Sequence, residues 1–132
     1  MAGDEGVQID IGKDGVLAHL LSPDPSRPRD EPEIATNIGI QLKHMGLNTW
    51  SISILRRLRD ALGRLQPKSI LEVGAGIGHR SAWIYDLFTL DERHPERYQL
   101  VEDGAKFAVI LRRLMLRHNA ESYTKIVVGN LD

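Results

Sequence analysis

The 132-residue chain sets 17 Lys+Arg against 18 Asp+Glu, and a formal net charge of −1 supplies no overall field that would draw it onto nucleic acid or an anionic membrane. The absence of cysteine excludes disulfides and thiolate metal sites and fits a reducing compartment, so a cytoplasmic location is expected. No apolar run approaches the ~18 residues of a membrane span, and the N-terminal MAGDEGVQIDIG is acidic, without the apolar core of a secretory signal.

Residues 1–32 read as an N-terminal arm ending in a Pro-rich linker. Within them VQIDI alternates like a strand, GKDG reads as a turn and VLAHLL is apolar, which predicts a hairpin or a short helix between Val7 and Leu21. The following SPDPSRPRDEP, Ser22 to Pro32, holds four prolines that remove backbone donors and fix φ, so it is expected to form an extended surface segment.

From residue 33 onward the chain reads as one domain, 33–132. Glu33 to Met45 has helical spacing in Ile34, Ile38 and Gln41/Leu42, with Gly46 as its C-terminal stop. A second helix carries the stripe Ile52, Leu55, Leu58 or Arg59, Leu62 and Leu65, with Asn48 or Thr49 as cap and Pro67 beyond its end. Its arginines Arg56, Arg57, Arg59 and Arg64 are expected to form a solvated face rather than a nucleic-acid patch. After Pro67 the rhythm becomes strand SILEV, helix Arg80 to Leu90, strand RYQLVE, helix Ala105 to His118 and strand YTKIVVG. Strands alternating with helices predict an α/β fold with a parallel sheet and right-handed crossovers. The five histidines show no metal-ligand spacing, and no metal site is expected.

Between the first strand and its helix lies ILEVGAGIGHRSAW, with Gly74, Gly76 and Gly78 at alternate positions. In a parallel sheet this turn lies beside the usual ligand crevice, and residues without Cβ let a ligand touch main chain. The dinucleotide fingerprint G-x-G-x-x-G/A would put its third small residue at His79, counting from Gly74, or at Ser81, counting from Gly76. A P-loop is excluded because no Gly-Lys-Ser/Thr follows. Glu72 stands two residues before the first glycine, where a carboxylate would repel a pyrophosphate. At the end of the second strand, Glu102 can accept two hydrogen bonds from a vicinal diol, and Asp103 beside it is either a second acceptor or the cap of the next helix.

Glu72-Val73-Gly74-Ala75-Gly76-Ile77-Gly78 resembles the first motif of the class I, Rossmann-like S-adenosylmethionine-dependent methyltransferases. The resemblance covers Ser69 to Asp132, about half the chain. It implies S-adenosylmethionine or S-adenosylhomocysteine as ligand, with the loop Gly74, Ala75, Gly76 and Gly78 under the methionine and ribose. Glu72 would orient the loop or the methionyl ammonium, Ser81 would hold the methionyl carboxylate, and Glu102 with Asp103 would meet the ribose hydroxyls. Gly129-Asn130-Leu131-Asp132 departs from the family's Gly-Asp after strand three, leaving the adenine amino group to Asn130 or to Asp132.

The family's sheet runs 3-2-1-4-5-7-6, so this chain is expected to form the 3-2-1 half of a three-layer Rossmann-like fold with N-terminal helices. The expected function is the cofactor-binding portion of a methyltransferase, with the residues that act on the acceptor outside it. Two other readings stand beside it: a non-catalytic partner-subunit module built on the half-sheet, and a nicotinamide enzyme. An edge position for SILEV further predicts self-association or pairing with a missing C-terminal half.

Overall fold

The computed structural model describes residues 13–129; the expected strand VQIDI and the adenine candidates Asn130 and Asp132 lie outside the described residues. In chain order the elements are α1 (Lys13–Leu20), α2 (Glu33–His44), α3 (Ile52–Leu65), β1 (Ser69–Val73), α4 (His79–Asp91), β2 (Arg97–Glu102), α5 (Ala105–Arg117) and β3 (Thr124–Val128). Of the two readings for the first segment, its described part takes the helical one.

The three strands form one parallel sheet in the order β1-β2-β3, the expected 3-2-1 arrangement. Its register aligns Glu72 with Leu100 and Ile126, and Val73 with Val101 and Val127. Period-two alternation therefore splits the strands into two faces. Ile70, Tyr98, Leu100 and Ile126 pack with Trp83, Ile84 and Tyr85 of α4 and Leu111, Leu114 and Met115 of α5. Leu71 and Val73 point the other way and are 53% and 58% exposed.

Helix ends follow local chemistry. Gly46, at φ +72°, terminates α2 as expected. The cap of α3 is Ser51 rather than Asn48 or Thr49: its backbone is extended and its Oγ accepts from the Ile54 N–H at 3.2 Å. Asp103 is not a cap either, because Gly104 holds the N-cap position of α5.

Of the arginines of α3, Arg57 is exposed as expected, but Arg56, Arg59 and Arg64 overturn the expectation of a solvated face. Arg64 donates to the carbonyls of Leu20, Ser22 and Pro23, and Arg56 donates to that of Arg29. Arg59 is 1% exposed, paired with Asp60 at 2.9 Å and set over the Trp83 ring. The cause lies in the arm: its prolines leave carbonyls with no helix or sheet partner, and guanidinium groups supply the missing donors.

Candidate functional site

The carboxyl end of β1 turns sharply over β2. The N–H groups of Gly74 and Ala75 both donate to Val101 O, at 2.9 and 3.1 Å, and Gly78 N–H donates back to Ala75 O at 3.0 Å. This path needs positive φ at Gly74 (+73°) and Gly76 (+61°), which side-chain-bearing residues adopt at a cost. A Cβ on either would meet nothing within 4 Å, so both Cα atoms face open space. Gly78 differs: a Cβ there would stand 2.5 Å from Leu114 Cδ2, so its bareness lets α5 pack against the loop.

Two buried carboxylates flank the loop. Glu72 Oε1 accepts from Ser81 Oγ at 2.9 Å and from the Tyr98 hydroxyl, while Oε2 accepts from Arg80 Nε at 3.2 Å. The buried Tyr98 hydroxyl is held far above the ordinary tyrosine range, first by burial and then by the Glu72 charge, so it stays a donor. Arg80 also donates to Gly74 O and stacks over Trp50, 4.7 Å from its ring centre. Glu72 thus holds the loop from beneath, through Arg80.

Glu102 is held differently. Its Oε1 accepts from Gly76 N–H at 2.8 Å and its Oε2 from Gly104 N–H at 2.7 Å. A carboxylate offers about four acceptor directions, so among the described residues two remain after these backbone bonds. Asp103, next along, is exposed.

A cavity of about 270 Å³ lies against the loop, lined by Gly74, Ala75, Gly76, His79, Arg80 and the segment Leu47 to Trp50. A groove of about 350 Å³ follows the free side of β1, between Leu71 and Val73 and α3 residues Leu58 and Leu62; Trp50 and Arg80 border both spaces. The larger groove between α2 and α5, about 430 Å³, is lined by Ile77 and by none of the candidate site residues. The structure therefore brings Glu72, Gly74, Ala75, Gly76, Ser81 and Glu102 to one place, but gives the Ser81 hydroxyl to Glu72 and turns Gly78 toward α5. Sequence reading passed over Trp50, whose signal, a lone aromatic ahead of a helix cap, is indistinguishable from a packing residue.

No protein-family model matches this sequence, and no curated protein matches it. Solved structures do. The O-methyltransferase TomG from Streptomyces achromogenes, involved in tomaymycin synthesis and in complex with SAM, superposes with a TM-score of 0.61 at 19% identity, covering 89% of this chain and 48% of that one. A methyltransferase from Geobacter sulfurreducens gives 0.63 at 17% identity, covering 94% of this chain and 59% of that one. The chain thus carries the Rossmann-like α/β fold of these methyltransferases and spans about half of their length. Among the described residues no helix is long and apolar enough to cross a membrane.

Proposed function

We propose that this chain is the cofactor-binding portion of an S-adenosylmethionine-dependent methyltransferase. The observation that carries the reading is the pairing of two open glycines with a half-used carboxylate: Gly74 and Gly76 expose main chain, and Glu102 is bonded to Gly76 yet keeps acceptor capacity. Glu102 would accept from the ribose hydroxyls, with exposed Asp103 beside it. The loop and the Asn48 to Trp50 wall would enclose the methionyl end, and the adenine edge would fall to Asn130 or Asp132, outside the described residues. Glu72 and Ser81 act one layer below, fixing the loop through Arg80. The chemistry S-adenosylmethionine brings when bound is a sulfonium methyl open to in-line displacement, for which positioning is the protein's main contribution. Isothermal titration with S-adenosylhomocysteine tests the reading, with NAD as the control. Binding of the former alone is expected, and NAD binding without it would return the nicotinamide reading.

A second reading, a partner-subunit module, draws on the edge of β1. Lys68 O accepts from β2-side N–H groups and Gly74 N–H donates to Val101, so even-numbered residues face β2. The main-chain groups of Ser69, Leu71 and Val73 therefore point outward, and among the described residues β1 pairs only with β2. Such an edge accepts another strand, from a second copy or a complementary half. Sedimentation over a wide concentration range tests it, with a strict monomer as the opposing result.

A further inference from the structure

The Pro-rich arm ends at the glycine loop. Glu31 Oε2 accepts from His79 Nε2 at 3.0 Å and from Trp83 Nε1 at 3.1 Å, and the Glu31 and His79 side chains are 13% and 10% exposed. His79 and Trp83 are four residues apart, one turn after the other on one face of α4. His79 directly follows Gly78 and lines the cavity beside Gly74 and Gly76. The start of α4 has no side-chain cap and no acidic residue in its first turn. Glu31 supplies from outside the negative charge that a helix N-terminus favours.

Glu31 has little freedom to be elsewhere. Upstream, Arg27 grips Asp91 at the far end of α4 with two bonds, at 2.7 and 3.1 Å. Downstream, Pro32 is the N-cap of α2. From His79 to Asp91 the helix spans ~18 Å, which the four residue steps from Arg27 to Glu31 cover when extended with their long side chains. The arm is therefore a brace along α4, fastened at both ends. α2 also approaches the His79 ring closely, since a Cβ on Gly39 would lie 3.3 Å from Nε2.

We infer that Glu31 is a positioning residue for the glycine loop, acting through His79, so that the arm belongs to the ligand site although it touches no ligand. The inference rests on the cofactor reading above, and one arm of its test needs no ligand. Hydrogen exchange on the full ligand-free chain would follow the amides of Gly76 and Gly78, both bonded within the site. In Glu31→Ala, and more mildly in Glu31→Gln, their exchange should rise by about tenfold, the scale of one lost charge-assisted bond. Arg64→Met, which releases only the start of the arm, should lower Tm without that local rise. In the second arm, S-adenosylhomocysteine should bind Glu31→Ala about tenfold more weakly, and adding His79→Ala should cost less than the sum of the two single changes. Unchanged loop exchange in both Glu31 variants overturns the inference, as does equal affinity in wild type and Glu31→Ala. Absence of binding to wild type would instead sink the cofactor reading and leave the exchange arm to decide the role of Glu31.

Discussion

Glu72 and Glu102 end neighbouring strands, are 8% and 9% exposed, and do opposite things with their oxygens. At the end of β1, Glu72 collects the buried Ser81 and Tyr98 hydroxyls and the partly exposed Arg80, all side chains of the fold itself. At the end of β2, Glu102 takes two backbone N–H groups at the rim of the loop and, among the described residues, no side-chain donor. Burial alone does not separate structure from site; the kind of partner does. A carboxylate tied by three side chains is a fastening, and one that shares itself with main chain beside open glycines can take a ligand.

Removing the fastening should have the largest effect. Glu72→Leu strands the buried Tyr98 and Ser81 hydroxyls and removes the ion pair of the partly exposed Arg80, a loss of about 3–5 kcal/mol, most of it from the two hydroxyls left without an acceptor. Urea denaturation would measure it. A loss below ~1 kcal/mol would mean that Glu72 is not the anchor of the loop. Next comes Gly78→Ala, where positive φ and a 2.5 Å approach to Leu114 act together for about 2–4 kcal/mol. Gly76→Ala, strained but unobstructed, should cost only about 1–2 kcal/mol in stability. Equal losses at the two glycines would erase the distinction between the packing face and the open face of the loop.

Glu102→Gln reverses the pattern seen at Glu72. One amide oxygen can still accept from Gly76 or Gly104, so the stability change should stay near ~1 kcal/mol, whereas S-adenosylhomocysteine binding should weaken by about 1–3 kcal/mol. Calorimetry on the same variant reads both quantities. A fall in stability with unchanged affinity would make Glu102 a second fastening.

The parts of this comparison that could be read from sequence are those set by periodicity and main-chain need. SILEV, RYQLVE and the amphipathic α5 declare a parallel βαβαβ unit because alternation and 3.6-residue spacing are local properties. The glycines announced themselves by lacking Cβ. What stayed hidden depends on residues far apart in the chain. Arg64 gives no sign that it answers carbonyls some forty positions earlier, and Glu31 gives none that it meets His79, 48 residues on. The bond from Tyr98 to Glu72, 26 positions away, is invisible for the same reason, because it follows from register across the sheet.

The smallest effect is expected at the far end of α5, away from either carboxylate. His118 stacks on Tyr85, with ring centres 5.0 Å apart, and its Nε2 is buried with no hydrogen-bond partner among the described residues. A neutral imidazole can leave that nitrogen as a bare acceptor, but protonation would create a buried donor with nothing to bond. The helix C-terminus pulls the other way, favouring a cation. Burial wins: it pushes the imidazole below its ordinary 6.5, with Arg117 adding repulsion. The unfolded chain then binds a proton more readily than the folded one, so the contribution of this group is intact above pH ~6.5 and is lost as pH falls from there toward the lower folded value. His118→Gln should flatten that part of the stability-versus-pH curve, and the difference between the two curves removes the shared titration of the other histidines. An unchanged slope between pH ~7 and ~5 would show that His118 titrates as it does in the unfolded chain, and that the dipole of α5 offsets its burial.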